Sequence, residues 1–243
     1  MSIACPLCGS PVKADIGRKG SSFFVRCLAC DLIRIDPHPT DSELEEFYRD
    51  YVHHYRVEHP DTKSLRFRSK VFPLKLMAKG NRFLDIGCNV GFFVAAARRL
   101  GCEAYGIDVS PNAIGHARRL WPDCTFFNET LEEFAARGET FDMVVCTEVI
   151  EHIRELHSFM RSLRAVLNPG AVVFCTTPDT GHFRTPKKRL LDWKETRPVE
   201  HVALFNRRNI RLLFERHDIM PFLFFPMHRA NMRFYSRYSP QGG

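Results

Sequence analysis

The stretch FLDIGCNVGFF, residues 83–93, has the pattern of a short buried strand, a tight glycine turn and the start of a helix. Gly87 and Gly91 allow the backbone of the turn to approach a ligand closely, and the amino terminus of the following helix favours polar or anionic groups. A nicotinamide-type turn needs glycine at position 89 and glycine or alanine at position 92, where this chain has Asn89 and Phe92. The stretch therefore predicts a turn that binds a nucleotide-like ligand, and its sequence disfavours a dinucleotide as that ligand.

An acidic residue at the end of the next apolar segment extends this pattern. Asp108 lies twenty-one residues after Gly87. A carboxylate at the tip of the neighbouring strand can accept hydrogen bonds from both hydroxyl groups of a ribose. The turn and the acid together predict a site for an adenosine group.

Downstream of residue 80, short apolar strands alternate with helical stretches. The predicted strands are 82–86, 103–107, 125–127, 143–146 and 171–176. The predicted helices are 91–100, 111–120, 129–136, 156–167 and 207–216. Two last strands, 219–225 and 230–235, are close enough to form an antiparallel hairpin. The alternation predicts an α/β fold, a mostly parallel sheet with helices on both faces and a C-terminal antiparallel hairpin.

Four of the nine cysteines form the pattern C-x2-C-x18-C-x2-C near the N-terminus: Cys5, Cys8, Cys27 and Cys30. Two such turns can surround one zinc ion with four thiolates, which leaves no position for water and predicts a structural site. Gly9 suits the tight turn after the first pair, and Asp31 holds the equivalent position after the second. The alternatives are unrelated buried or redox-active cysteines, or a disulfide pair, which a reducing compartment disfavours.

These signals divide the chain into three segments. Residues 1–39 form the predicted zinc ribbon, 40–80 a mostly helical connector, and 81–243 the α/β domain. The connector begins with a predicted helix over 41–52, because Thr40 and Glu43 have the spacing of a capping box.

Composition limits the class of protein. Of the 243 residues, 44% are hydrophobic and 26% charged, which excludes disordered, collagen-like and coiled-coil chains. No apolar run approaches the roughly 20 residues of a membrane span, and no secretory signal is visible, so a cytoplasmic location is expected. The net charge is +7, and residues 181–243 contain thirteen basic and five acidic side chains. That excess fits a nucleic acid, a membrane surface, a phosphorylated substrate or simply a solvated surface.

The segments 84–91, 141–146 and 167–171, together with Asp108, resemble the successive motifs of class I S-adenosylmethionine-dependent methyltransferases. Within that superfamily, EVIEHI at 148–153 resembles the branch of the ubiquinone-biosynthesis O-methyltransferases and many small-molecule enzymes. The resemblance implies a Rossmann-like sheet. The four-cysteine segment resembles the ribbon of bacterial methyltransferases that act on sugars or cell-surface glycans. That likeness extends through 32–39 and to three tyrosines: Tyr48, Tyr51 and Tyr55.

The resemblance also implies roles for individual residues. The methionine part of the cofactor would be held by Asp85, Gly87, Asn89 and Gly91, its ribose by Asp108, and its adenine by Val109, Thr130 and Leu131. Asn89 replaces a usual glycine, and asparagine tolerates the left-handed backbone better than other side chains. Asp179 stands where asparagine is common, which leaves the acceptor in question.

Several acceptor-side residues have competing interpretations. Glu148, which would line the methyl-transfer pocket, shares a helix face with Glu151 and His152 if 148–152 is helical. With His201 they would form a divalent-metal site, similar to that of small-RNA 2′-O-methyltransferases. The same Glu-His pair also occurs in relatives without a catalytic metal. His152 and His201 are the candidate general bases, with His182 a weaker third, and each could be structural instead.

A basic group near this segment, comprising residues 187–189, Arg197 and residues 207–208, could recognise an anionic acceptor or be solvated surface. Trp193 could stack on a sugar or fill a lid. The predicted function is methyl transfer from S-adenosylmethionine to a small-molecule or glycan acceptor, at oxygen. The alternatives are an RNA methyltransferase that uses the ribbon and the basic C-terminal quarter, and a non-catalytic cofactor-binding scaffold.

Overall fold

The structure, a computed structural model, describes residues 4–40, 42–44, 60–225 and 229–240. Its strands, in chain order, are β1 (Lys13–Lys19), β2 (Ser22–Cys27), β3 (Ile33–Ile35), β4 (Arg82–Ile86), β5 (Glu103–Ile107), β6 (Thr125–Phe127), β7 (Phe141–Thr147), β8 (Leu167–Pro178), β9 (Ala203–Leu204), β10 (Ile219–Phe225) and β11 (Asn231–Tyr238). Its α-helices are α1 (Pro60–Met77), α2 (Phe92–Arg99), α3 (Pro111–Leu120), α4 (Leu131–Ala135), α5 (Leu156–Ala165) and α6 (Arg207–Glu215). Two 3-10 helices cover Ile150–His152 and Lys187–Asp192.

Seven strands form the central sheet in the order β10-β11-β8-β7-β4-β5-β6. The strands from β8 to β6 are parallel, whereas β11 pairs antiparallel with both β8 and β10. The predicted mostly parallel sheet with a C-terminal antiparallel hairpin is therefore confirmed. The chain adds β5 and β6 on one side of β4 and the later strands on the other, so a crevice opens at the carboxyl end of β4, where ligands bind in such sheets.

Side chains of the inner strands alternate between two cores. On β7, Met143 and Val145 pack toward α1, α2 and α3, while Val144 and Cys146 pack toward α5 and α6. Because both faces of the strand are covered, both sets of side chains must be apolar, which explains the near-continuous apolar run.

A second sheet joins the N-terminal segment to a later part of the chain. Its order is β1-β2-β3-β9, with Ile33 of β3 opposite Leu204 of β9. None of these four strands was predicted from the sequence, and the two-residue β9 carries no periodic signal at all. The segment 1–39 is continuous along the chain, but its sheet takes one strand from the α/β domain, and the division at residues 39 and 80 remains a proposal.

The connector is described in part. Thr40 and Glu43 exchange the predicted capping-box hydrogen bonds, and residues 42–44 are helical. The rest of the predicted helix over 41–52, including Tyr48 and Tyr51, lies outside the described residues, as does Tyr55. Helix α1 then packs on α2. No helix within the described ranges has the length and apolar character to cross a membrane.

Candidate functional site

The glycine turn between β4 and α2 adopts left-handed backbone at three positions. The φ angles of Gly87, Asn89 and Gly91 are 69°, 54° and 80°. A Cβ atom at position 87 would lie 2.5 Å from Cγ2 of Val149, so this position accommodates only glycine. Asn89 holds the conformation that the sequence analysis required of it.

The carboxylate of Asp108, directly after β5, holds this turn in place. Its Oδ2 accepts the backbone N–H of Asn89 at 2.9 Å, and its Oδ1 accepts that of Ser110 at 2.8 Å. The acid that sequence spacing linked to the turn is therefore bonded to it. Both lie at the carboxyl ends of adjacent strands, on the crevice side of the sheet.

Asp85, near the end of β4, is fully buried beside this turn. Its Oδ1 has no hydrogen-bond partner among the described residues. Burial raises the pKa of Asp85 well above its usual range, and the negative charge of Asp108 adds to this shift. A buried acceptor oxygen of this kind takes its donor from outside the chain, either from a bound ligand or from an ordered water.

The adenine-side candidates differ in exposure. The side chain of Val109 is 65% exposed, which leaves an apolar surface beside Asp108. Leu131 is buried, and the hydroxyl of Thr130 caps α4 by accepting the N–H of Glu133. Thr130 and Leu131 thus have structural roles in α4. Val109 and Thr130 are both exposed, and of these two only Val109 offers an apolar side chain.

The structure corrects the predicted helical face of residues 148–152. Glu148 has a φ of 54°, and only Ile150–His152 form a 3-10 turn. The left-handed residue sends the exposed Glu148 carboxylate along the sheet edge, where it accepts hydrogen bonds from Thr176 Oγ1 at 2.7 Å and Asn231 Nδ2 at 3.3 Å. Glu148 therefore does not share a helix face with Glu151 and His152.

Glu151, His152 and His201 do come together. One ligand atom from each lies within 4.8 Å of the others, and the two imidazole rings meet edge to face with centroids 4.9 Å apart. Glu151 is completely buried; its Oε2 accepts the hydroxyl of Thr177 at 3.0 Å, and its Oε1 has no partner in the described part of the chain.

Backbone carbonyls orient both imidazoles. His201 Nδ1 lies 2.8 Å from the carbonyl oxygen of Glu195, so Nδ1 carries the proton and Nε2 keeps its lone pair. His152 is hydrogen-bonded to the backbone of Glu200. Burial, and then the neighbouring His201, lower the pKa of His152 to about 4, and burial lowers that of His201. Burial, and then Glu148, raise the pKa of Glu151 well above its usual range.

Other acceptor-side candidates are already engaged. Trp193 is 5% exposed within a core that includes Phe24 and Ile33, which rules out stacking on a sugar. His182 is buried, and its Nδ1 accepts the N–H of Arg184 at 3.1 Å. Three of the basic residues have partners within the chain: Arg189 with Asp192, Arg197 with Glu195 and Glu200, and Arg208 with the Ala29 carbonyl.

A pair of basic residues near the glycine turn was not predicted from the sequence. The Lys70 ammonium of α1 lies 5.6 Å from the centroid of the Phe93 ring, just after the turn, and Arg233 of β11 lies over Phe174. Burial, and then Arg233, lower the pKa of Lys70, and Arg233 Nε is buried with no partner among the described residues. The basic character of the connector was visible in the sequence, but nothing in it linked Arg233 to α1.

The four N-terminal cysteines converge at the base of the small sheet. Their sulfur atoms all lie within 4.8 Å of one another, with Cys5 and Cys30 at 3.6 Å and Cys8 and Cys27 at 3.5 Å. A disulfide needs about 2.05 Å, whereas four thiolates at ~2.3 Å from one zinc ion stand about 3.8 Å apart. Gly9 and Asp31 both have positive φ, at 75° and 65°, so the two turns match as expected.

Comparisons with known proteins agree with this geometry. A family described as "Methyltransferase domain" matches residues 46–219. Ubiquinone biosynthesis O-methyltransferase of Cereibacter sphaeroides is 37% identical over 103 residues, which cover 41% of this chain. The match spans 42% of the length of that curated relative.

Solved structures share the fold at low sequence identity. A crystal structure of a Pyrococcus horikoshii protein matches 80% of this chain and 99% of its own, with a TM-score of 0.62 and 19% identity. Magnesium protoporphyrin IX methyltransferase of Synechocystis, with bound S-adenosylhomocysteine, matches 82% of this chain and 95% of its own, with a TM-score of 0.57 and 17% identity.

Proposed function

This chain belongs to the methyltransferase-domain family, and from that membership we propose that it transfers a methyl group from S-adenosylmethionine to a small-molecule or glycan acceptor, at oxygen. The observation that carries the proposal is the hydrogen bond between the Asp108 carboxylate and the Asn89 N–H, which joins the acid and the glycine turn into one preformed edge. The curated relative named an O-methyltransferase supports oxygen as the acceptor atom.

The residues at this edge fit the cofactor. The cofactor supplies a methyl group on a positively charged sulfur. Asp108 binds the ribose hydroxyls, Val109 covers one face of the adenine, and the unpartnered Asp85 Oδ1 accepts a hydrogen bond from the amino group of the methionine part. Thr130 and Leu131 contribute through the position of α4.

Lys70 and Arg233 extend the cofactor site. Both cations are partly buried, and the charge of Arg233 disfavours that of Lys70, a cost that a bound anion would relieve. The carboxylate of the methionine part is such an anion. We therefore propose that Lys70 and Arg233 would hold that end of the cofactor.

On the acceptor side, His152 and His201 act as general bases or orient the acceptor. Methyl transfer is an in-line displacement, so positioning dominates and a base is needed to take the hydroxyl proton. Both imidazoles are neutral near pH 7 because their pKa values are lowered. In His152→Ala and His201→Ala, we expect turnover to fall by about 10²–10⁴-fold while cofactor affinity changes little. Wild-type turnover in both variants would exclude this assignment.

In the alternative form of the acceptor site, Glu151, His152 and His201 would hold a divalent metal ion. The unpartnered Glu151 Oε1 and the two backbone-oriented imidazoles fit a metal, since ligating histidines donate their other N–H in this way. Such an ion lowers the pKa of an acceptor hydroxyl. Glu148 is not part of this set. Activity measured after chelation, with zinc retained by the cysteines, separates the two forms: an unchanged rate removes the metal.

The four cysteines hold a structural zinc ion. Their sulfur spacing fits tetrahedral coordination, and four thiolates leave no open position for a substrate. We assign residues 1–39 to this zinc ribbon, 40–80 to the connector and 81–243 to the methyltransferase domain, in a cytoplasmic protein.

The test is incubation with labelled S-adenosylmethionine and fractionated cell extract. We expect label in small molecules or glycans. Label in RNA would show that RNA is the acceptor. The ion pairs of Arg189 and Arg197 within the chain argue against RNA, because they engage two of the basic side chains that would contact its phosphates. Cofactor binding without transfer to any fraction would leave a non-catalytic scaffold.

A further inference from the structure

We propose that the four-cysteine module is the scaffold of the acceptor site, and that Asp31 is the positioning residue that links the metal turn to the segment carrying His201. We name residues 187–206 the acceptor wall. The inference rests on the proposed function only in calling this side of the crevice the acceptor side.

Backbone pairing attaches the acceptor wall to the module. Arg34 and Ile33 of β3 pair with Ala203 and Leu204 of β9. The N–H of Ile35 also donates to the carbonyl of Val202 at 3.0 Å. His201 is the residue immediately before this pairing, so the position of β3 sets the position of its imidazole.

Side chains of the module also enclose the first half of the acceptor wall. Trp193 and Leu190 form one core with Phe24 and Ile35 of the small sheet. The Lys19 ammonium donates to the Trp193 carbonyl at 3.2 Å. The hydrophobic core of this wall thus lies between the wall and the module.

Asp31 links the metal turn to the wall by a side-chain hydrogen bond. Asp31 follows the last ligand, Cys30, and its Oδ2 accepts a hydrogen bond from Asn206 Nδ2 at 2.8 Å. Asn206 ends the wall and also caps α6, where its side-chain oxygen accepts the N–H of Asn209. A change in the backbone around the metal therefore moves Asn206, at the end of the acceptor wall.

The cofactor turn takes contacts from other elements. Asn89 bonds to Asp108, Gly87 packs against Val149, and the indole of Trp121 donates to the Val90 carbonyl at 2.9 Å. Zinc should therefore control the acceptor wall while leaving the cofactor turn intact. The two tryptophans of the chain report separately on these regions, Trp193 on the wall and Trp121 on the turn.

The first test removes zinc from two single-tryptophan variants under reducing conditions, with metal loss verified by mass spectrometry. In Trp121→Phe, the remaining Trp193 should shift its emission to the red and become more accessible to acrylamide, and zinc should reverse both changes. In Trp193→Phe, the emission of Trp121 and the affinity for S-adenosylhomocysteine should stay unchanged. An unchanged Trp193 signal, or equal responses of both tryptophans, would overturn the proposal.

The second test isolates Asp31 with zinc in place. Asp31→Gly keeps the positive φ, as Gly9 does in the other turn, but removes both the acceptor for Asn206 and the ion pair with Arg26. In the Trp121→Phe background it should retain one zinc per chain and increase acrylamide quenching of Trp193. Asp31→Asn, which keeps an oxygen at that position, should restore the wild-type signal, and Asp15→Gly on the exposed side of β1 should leave it unchanged.

Quenching in Asp31→Gly equal to that in the Asp15→Gly control would reject the role of Asp31. The proposed function has a separate outcome: absence of S-adenosylhomocysteine binding to zinc-loaded protein would reject the methyltransferase assignment while the Trp193 response still tests the scaffold.

Discussion

The four-cysteine module and the cofactor turn hold their ligands by opposite means. The module brings together four side chains whose spacing along the chain already encodes the site, and its core needs a metal to join them. The turn is backbone held in left-handed conformation by Asp108 and by the order of strands in the sheet. A site made of side chains is visible in a sequence, whereas a site made of topology becomes visible only when neighbouring strands are known. The two regions should therefore fail independently.

Loss of one thiolate is the strongest test of that independence. Cys27→Ser removes a ligand from a site whose zinc contributes about 10–16 kcal/mol of binding free energy in small zinc modules. We expect zinc to fall from one ion per chain to near zero by mass spectrometry, while S-adenosylhomocysteine still binds. Cys124→Ser, at a half-buried cysteine outside the module, is the matched control and should keep its zinc. Loss of cofactor binding together with zinc would show that the regions are coupled.

Gly91→Ala damages the other region. A Cβ there would lie 2.6 Å from Phe126 and 3.1 Å from Trp121, at a φ of 80°. Gly138→Ala has a φ of 73° but no atom within 4 Å, so it isolates the backbone cost. We expect a loss of about 1 kcal/mol for Gly138→Ala and a further ~1–3 kcal/mol for Gly91→Ala, measured by thermal unfolding. Zinc content should be unchanged in both, and equal losses in the two variants would contradict the packing described here.

The smallest expected effect concerns the histidine pair between the module and the sheet helices. His157 Nε2 lies 3.1 Å from the Leu7 carbonyl, and its Nδ1 lies 2.9 Å from His217 Nε2. Burial, and then His157, lower the pKa of His217, so its proton binds less readily in the folded chain than in the unfolded one. The stability that His217 contributes is therefore present above about pH 6.5, its unfolded value, and is lost as pH falls below it.

The measurement is the free energy of unfolding of wild-type protein and His217→Gln between pH 5.5 and 7.5. We expect the wild type to lose stability relative to the variant as the pH falls. A difference that stays constant across this range would show that the pKa of His217 does not change on unfolding.

Most of the fold could be predicted from the sequence because its strands and helices carry strong periodic signals. The strands at 82–86, 103–107 and 125–127 have the predicted bounds. Strand β8 is longer than predicted because it begins at Leu167, before the left-handed Gly170. The pairing of β3 with β9 joins residues about 170 positions apart through two residues, for which no local pattern exists.

The candidate site was predictable in its chemistry but not in its geometry. The cysteine cluster and the left-handed Asn89 follow from residue types and spacing, whereas the hydrogen bond between Asp108 and the Asn89 N–H was not predicted. The prediction that Glu148 and His152 share a helix face was wrong, because a single left-handed residue after β7, Glu148, replaces the expected helix. The burial of Trp193 depends on the module that covers it, and the approach of Lys70 to Arg233 depends on strand order.

Calorimetric titration of S-adenosylhomocysteine into wild-type protein and Asp108→Ala tests most directly whether the turn and the acid form one cofactor site. We expect one site per chain in the wild type and an affinity at least about 100-fold weaker in the variant, because two hydrogen bonds to a charged group are lost. Asp123→Ala, on the exposed loop before β6, should bind as the wild type does. No heat with the zinc-loaded wild type, or equal affinity in Asp108→Ala, would contradict the account.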